Sequence, residues 1–197
     1  MTNQSRNLAN LIMSRRTIHN FVPDKVPDIS LIKEAIEIAC WAPNHHLTEP
    51  WRFYLLGSET ITSVCDLNKK ILTASSSSDA AQKKYLRWLN IPGWLIVTCR
   101  KSANELTYYE DYAACCCVIQ NFMLYLWSNG IGTKWSTGDI IRDDEFYDII
   151  WVNKDLENKN LLLTENLDLD YIEILIRQKF LFGKEDEKIY LIKNNEN

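Results

Sequence analysis

The longest regular stretch of the chain is residues 104–130, NELTYYEDYAACCCVIQNFMLYLWSNG. Apolar side chains recur there at steps of three and four residues, which predicts a helix over about 104–128 that Asn129-Gly130 ends. The apolar positions cover a broad part of the helix surface, wider than the stripe of an ordinary surface helix. We therefore expect a central helix that is buried against other helices or against a second subunit.

Shorter elements surround this helix in mixed order. Their patterns predict helices over residues 3–14, 28–41, 59–72, 79–90 and 143–151, with Asp28 as an N-cap, and strands over 52–56, 94–99 and 131–136. The four serines at 75–78 predict a flexible loop. After Trp151 the patterns weaken. Residues 161–163 could form a strand or a helix, 168–178 a helix and 189–192 a final strand. Few strands among many helices predict an α+β fold, with a small sheet under several helices.

Length and composition limit the classes of protein to consider. The chain has 197 residues, of which 46% are hydrophobic and 24% charged, which is typical of one globular domain. No apolar run reaches the roughly 18 residues of a membrane span. Residues 1–10 are polar and lack the apolar stretch of a secretory signal. We expect a single domain over 1–197, located in the cytoplasm and bound to no membrane.

The net charge of −4 is unevenly spread. Residues 1–100 hold 12 Lys/Arg and 8 Asp/Glu, whereas residues 101–197 hold 10 and 18. A nucleic-acid-binding protein usually carries a stronger basic surplus, so we expect no nucleic-acid partner. The cations of the first half favour a small anionic ligand.

Several common types of site are missing from the sequence. There is no glycine-rich phosphate loop, no nucleophile elbow and no His-Glu-x-x-His motif. Of six cysteines, three are consecutive at 115–117, and no pair has the spacing of a zinc knuckle. We expect buried, reduced thiols and no metal site.

Three local clusters could carry chemistry. Ser14-Arg15-Arg16-Thr17 could bind a phosphate or a polarised carbonyl, although arginines also complement the end of a helix. The Pro-punctuated segment 41–53 could wall a flat aromatic ligand, although its tryptophans could instead cover the core. Trp135-Ser136-Thr137-Gly138 could hold an anion or could be an ordinary turn.

In this order and spacing, the three clusters resemble the motifs of the nitroreductase superfamily, and most closely those of small bacterial FMN-dependent NAD(P)H nitroreductases. The resemblance covers about residues 6–152. It rests on Arg15-Arg16-Thr17, Ala42-Pro43-Asn44-His45, Pro50-Trp51 and Trp135-Ser136-Thr137-Gly138. It implies a three-layer α-β-α fold, a small mixed or antiparallel sheet and a long central helix.

The resemblance also implies a homodimer with one FMN at each of two subunit interfaces. Arg15, Arg16 and Thr17 would hold the FMN phosphate, ribityl chain or ring edge. Trp41 and His45 would reach the flavin from the partner subunit, and Trp135, Ser136 and Thr137 would complete the pocket. Because the flavin carries the redox chemistry, no catalytic side chain is expected.

The implied activity is ping-pong hydride transfer from NAD(P)H to nitroaromatic, quinone or similar flat acceptors. Neither the choice between NADH and NADPH nor the physiological acceptor follows from the sequence. Residues 153–197 depart from the family pattern, since they contain no proline and only Gly183. We expect this divergent region to reach the partner subunit. Two alternatives stay open, a catalytically weak FMN-binding or sensory relative and a non-flavin protein-interaction module.

Overall fold

The long helix predicted over about residues 104–128 is present, among shorter helices and a pair of strands. The structure is a computed structural model that describes residues 2–75 and 77–150. The helices are α1 (Asn3–Ser14), α2 (Ile29–Ala39), α3 (Ser58–Ser75), α4 (Ser78–Leu89), α5 (Glu105–Ser128) and α6 (Asp144–Ile149); the strands are β1 (Trp51–Leu55) and β2 (Leu95–Cys99). Short 3-10 turns occupy His45–Leu47 and Asp139–Arg142. The predictions for the chain beyond residue 150, including the region 153–197, lie outside the described residues.

Side-chain caps fix where several helices begin. The carboxylate of Asp28 accepts a hydrogen bond from the amide of Ser30, which confirms the predicted start of α2. Ser77 accepts from the amide of Ala80 in the same way and starts α4. The predicted loop at 75–78 is therefore too long, because α3 continues to Ser75 and α4 already begins at Ser78.

β1 and β2 pair as an antiparallel ladder in which Trp51 lies opposite Cys99 and Leu55 opposite Leu95. The predicted strand at 131–136 is wrong within the described residues, where its backbone pairing is limited to one isolated parallel bridge between Thr17 and Thr133. A small antiparallel sheet among helices confirms the α+β class.

Two apolar clusters hold these elements together. One joins α2, β1 and α5 through Ala39, Trp51 and Val118. The other joins α3 and α6 through Val64 and Phe146 and meets the sheet at partly buried positions. Close packing of this kind fixes the orientation of α5 against α2 and β2.

Only one side of α5 is buried by these contacts. Leu106, Tyr109 and Tyr112 on its other side are 67%, 60% and 54% exposed. Among the consecutive cysteines Cys115 is buried but Cys117 is exposed, so the prediction of buried thiols is wrong for Cys117. In residues 2–75 and 77–150, no helix combines the length and the apolar character needed to cross a membrane.

Candidate functional site

The two arginines lie where α1 ends. Arg15 is the C-cap residue of α1 and is half-buried. The Arg16 guanidinium donates from Nη1 to the carbonyl oxygens of Met13, at 2.6 Å, and Arg15, at 2.9 Å. These are the free carbonyl groups of a helix end, which cationic side chains complement. The helix-capping alternative from the sequence thus accounts for the contacts of Arg16, and Thr17 is exposed beside it.

A parallel bridge brings this helix end next to the third cluster. Thr17 pairs with Thr133, and the amide of Ile18 donates to the carbonyl of Thr133 at 3.1 Å. The approach is close, because a Cβ atom on Gly132 would lie 2.3 Å from Cγ1 of Ile18. A second hydrogen bond joins the end of α1 to α5: the indole Nε1 of Trp127 donates to the hydroxyl of Ser14 at 3.0 Å.

Trp135, Ser136 and Thr137 follow shortly after the bridged residue Thr133 in the sequence. All three are exposed, Trp135 by 44%. The structure therefore brings Thr17, the residue after Arg15 and Arg16, next to Thr133, two residues before Trp135. The residue types on the two sides of this bridge, two arginines, several hydroxyls and an exposed indole, would make a donor set suited to a phosphate joined to a flat ring.

The second cluster begins beside the second half of α5 and reaches the first half of that helix at Thr48. The carbonyl of Ala39, at the end of α2, accepts a bond from the amide of Asn121. Trp41 follows and is 87% exposed, so the alternative that this tryptophan covers the core is wrong. Trp51, by contrast, is 6% exposed and does belong to the core. His45 is also exposed.

The segment after Pro43 has an unusual backbone. His46, Leu47 and Glu49 have φ values of 57°, 51° and 41°, in the left-handed region that non-glycine residues rarely adopt. Thr48 between them donates its hydroxyl to Asp111 on α5. The Arg100 guanidinium donates to the carbonyl of Thr48 at 3.2 Å. These bonds fix the segment against the first half of α5.

The part of the second cluster around Thr48 is therefore far from the first cluster within one chain. Ser14 is tied to Trp127 and Thr48 to Asp111, and these α5 residues are 16 positions apart, which corresponds to about 24 Å of helix rise. His45 lies in the segment at Asp111, away from Arg15. One chain thus brings Thr17 of the first cluster next to Thr133, just before the third cluster, and leaves His45 away from both.

The thiols behind the segment 41–51 stay protonated at neutral pH. Burial raises the pKa of Cys40 to about 11, and the negative charge of Glu49 acts in the same direction. A hydrogen bond with Cys99, together with burial, raises the pKa of Cys115 far above its usual value. Since the thiolate is the reactive form of cysteine, neither group is a nucleophile here.

Sequence reasoning missed Asp111, Thr48 and Arg100. The signal for Asp111 was present, because it is an acidic residue on the otherwise apolar face of the central helix and is 2% exposed. Its partner Thr48 is 63 residues away in sequence, and no local pattern indicates that contact.

Comparisons with known proteins identify this class of α+β protein. The family model described as "Nitroreductase family" matches residues 12–157. The chain is 36% identical over 149 residues to the Bacillus subtilis (strain 168) protein named "Putative NAD(P)H nitroreductase YfhC", a match that covers 71% of this chain and 74% of that protein. The chain belongs to the nitroreductase family, as the sequence motifs predicted.

Solved structures agree on the fold. The nitroreductase-like family protein from Bacillus cereus is 28% identical, with a TM-score of 0.65 over 75% of this chain and 78% of that chain. A nitroreductase with bound FMN from Desulfitobacterium hafniense DCB-2 is 17% identical, with a TM-score of 0.57 over 78% of this chain and 84% of that chain. The predicted nitroreductase-like fold is confirmed.

Proposed function

We propose that this protein is an FMN-dependent oxidoreductase that takes electrons from NADH or NADPH and passes them to flat acceptors such as nitroaromatics and quinones. The observation that carries the proposal is the bridge between Thr17 and Thr133, which brings the backbone that follows Arg15 and Arg16 next to the backbone that precedes Trp135, Ser136 and Thr137. The relative from Bacillus subtilis bears the name of an NAD(P)H nitroreductase, and the Desulfitobacterium structure contains FMN. Both support the choice of cofactor and donor.

The residues at the end of α1 have the right chemistry for the phosphate end of FMN. Arg15 and Arg16 would neutralise the phosphate, with Thr17 as a hydroxyl donor. Ser136 and Thr137 would donate to the polar edge of the ring, and the exposed Trp135 would cover part of its apolar surface. When bound, FMN supplies the hydride chemistry. The protein's part is to hold it with one face open, where donor and acceptor bind in turn, as a ping-pong reaction requires.

The second copy in the proposed homodimer would cover the exposed side of α5. A helix that is apolar all round is normally buried on all sides, yet Leu106, Tyr109 and Tyr112 are exposed in one chain. Trp41 and Leu47 add two more exposed apolar side chains, 87% and 82% exposed. An apolar surface of this extent favours a protein interface.

The dimer would also complete the flavin pocket. His45 lies in the segment that Thr48 fixes at Asp111, too far along α5 to serve the Arg15 cluster of its own chain, whereas Trp41 is exposed and available to a partner. A two-fold related copy would bring its own Trp41 and His45 to that cluster, and each flavin would then lie between two chains. A single domain over 1–197, whose region 153–197 reaches the partner, belongs to the same proposal.

We place the protein in the cytoplasm. All six cysteines are free, and Cys99 and Cys115 are hydrogen-bonded neighbours that have not formed a disulfide. Reduced neighbouring thiols are typical of a reducing compartment.

The experiment is an absorbance titration of the purified protein with FMN, followed by anaerobic addition of NADH or NADPH. We expect the flavin bands to shift on binding and to bleach with one or both nicotinamides. A protein that takes up no FMN would refute the proposal and favour an interaction module. Tight binding without bleaching would instead favour the sensory alternative.

Paired arginine variants test the binding site itself. Arg15→Ala removes charge-assisted hydrogen bonds of about 1.5–3 kcal/mol each, so FMN should bind about 10- to 150-fold more weakly. The matched control is Arg6→Ala, which removes the same charge from an exposed position near the start of α1. Equal affinities of both variants would contradict the assignment of Arg15.

A further inference from the structure

Asn44, Thr48 and Asp111 form a polar cluster inside the protein. The Thr48 hydroxyl is 2.5 Å from Oδ1 of Asp111 and 2.9 Å from Oδ1 of Asn44. A hydroxyl has one proton and cannot donate to both oxygens. With the Asn44 amide turned by 180°, its nitrogen donates to Thr48 while Thr48 donates to Asp111, which satisfies both contacts.

Asp111 is the buried member of the cluster, and Asn44 and Thr48 are half-buried above it. Asp111 is 2% exposed, and within the described residues its Oδ2 atom has no hydrogen-bond partner. Turning the Asn44 amide also gives its nitrogen a partner, since Nδ2 is otherwise buried without one within the described residues. Burying such groups costs free energy, so the two remaining bonds of the cluster matter for what they hold in place.

The bonds of this cluster hold residues 46–49, the segment with left-handed backbone conformations, in place. His46, Leu47 and Glu49 lie on both sides of Thr48, and positive φ values at non-glycine residues persist only where the surroundings enforce them. Asp111 binds the side chain of Thr48, and Arg100 binds its carbonyl. The amide of Arg100 also donates to the carbonyl of Pro50 at 2.7 Å. The segment is thereby fixed from α5 on one side and from the end of β2 on the other.

We propose that Asp111 is a positioning residue which, through Thr48, holds residues 44–49 in the conformation that presents His45 to the flavin site of the partner subunit. The inference rests on the proposed function. Asp111 itself is buried beneath the segment and touches no reactant. It acts by keeping residues 44–49 in one backbone conformation before FMN binds. The free energy of FMN binding is then not reduced by the cost of ordering this segment.

Variants at Thr48 test the contact with almost no change in shape. Thr48→Val keeps the branched side chain but lacks the hydroxyl, whereas Thr48→Ser keeps the hydroxyl and loses a methyl group. We expect Thr48→Val to bind FMN about 10-fold more weakly than wild type and Thr48→Ser to restore the affinity to within about 3-fold. Thr48→Ala is a second hydroxyl-free variant should Thr48→Val fail to fold.

Hydrogen–deuterium exchange on the FMN-free protein measures the segment directly. We expect the amides of residues 45–49 to exchange about 10-fold faster in Thr48→Val, with α3 unchanged. The control for general loss of stability is Val64→Ala, which creates a cavity in the other apolar cluster. That variant should lower stability without changing exchange at 45–49 or the FMN affinity.

The visible circular dichroism of protein saturated with FMN separates positioning from mere support of the fold. We expect the hydroxyl-free variants to change this signal and Thr48→Ser to restore it. Identical spectra and FMN affinities in wild type and Thr48→Val would overturn the role of Asp111 while the proposed function stands. Failure of the wild-type protein to bind FMN would overturn the proposed function itself.

Discussion

Replacing Trp41 tests whether a second subunit covers the exposed apolar surface. A tryptophan side chain presents about 200 Å², and 87% of Trp41 is exposed, which leaves about 170 Å² for a partner to cover. At about 25 cal/mol per Å², burial of that area contributes about 4 kcal/mol. A two-fold symmetric dimer contains the residue twice, so the upper limit is about 8 kcal/mol.

We expect the substitution to remove about half of this upper limit from the free energy of dimerisation, because a serine keeps part of the area and the partner covers the side chain incompletely. Trp41→Ser should therefore weaken the dimer by about 4 kcal/mol, which is about 1000-fold in Kd. Sedimentation velocity over a range of protein concentrations measures this constant. The FMN affinity of the variant should fall with it, since the proposed pocket needs both chains.

The matched control is Val26→Ser, which replaces another exposed apolar side chain, 68% exposed. Val26 precedes α2, whereas Trp41 follows it, so the two residues lie at opposite ends of that helix. We expect Val26→Ser to leave the dimer constant unchanged. If Trp41→Ser dimerises as tightly as wild type, the reasoning that places Trp41 in a subunit interface is refuted.

Three further changes test the fold. Ser77→Ala removes the cap of α4 and should lower the free energy of unfolding by about 1 kcal/mol in urea denaturation. Phe146→Ala leaves a cavity where the ring is 4% exposed and should cost about 3–5 kcal/mol in the same assay. Burial raises the pKa of Cys65 from 9.0 to about 11. The contribution of the protonated thiol to the free energy of unfolding is therefore present below pH 9 and is lost as the pH rises towards 11. Cys65→Ala should reduce that loss when unfolding is measured across this pH range.

The sequence predicted the elements whose signals are local. The period of apolar residues over 104–128 placed α5 to within one residue, and Asp28 marked the start of α2 because its side chain caps a nearby amide. The run at 131–136 has the composition of a strand, yet a strand needs a partner along its length. The structure gives this run one bridge, to Thr17, within the described residues.

The serines at 75–78 show how one residue type serves two structures. Ser75 stays in α3, where its hydroxyl lies within reach of the carbonyls of Ile71 and Leu72 and can donate to one of them. Ser77 caps α4 instead. A serine run therefore predicts a change of direction, but it does not give the length of the loop.

The site was predictable as a set of motifs but not as an arrangement. The sequence offered Arg15 to Thr17 and Trp135 to Thr137 as separate clusters, and only the bridge between Thr17 and Thr133 shows that their backbones come close. That Trp41 is exposed and not part of the core depends on where α2 packs along α5. The contact of Thr48 with Asp111 likewise joins distant residues, and a single sequence carries no signal for such pairs.

The most direct test of the central claim is sedimentation velocity of the FMN-loaded protein, recorded at a visible wavelength that only the flavin absorbs. The account predicts that the flavin sediments with a species of about 46 kDa, twice the 23.0 kDa chain, at one flavin per chain. Flavin that sediments with a single chain, or that stays behind as free FMN, would contradict a binding site shared between two subunits.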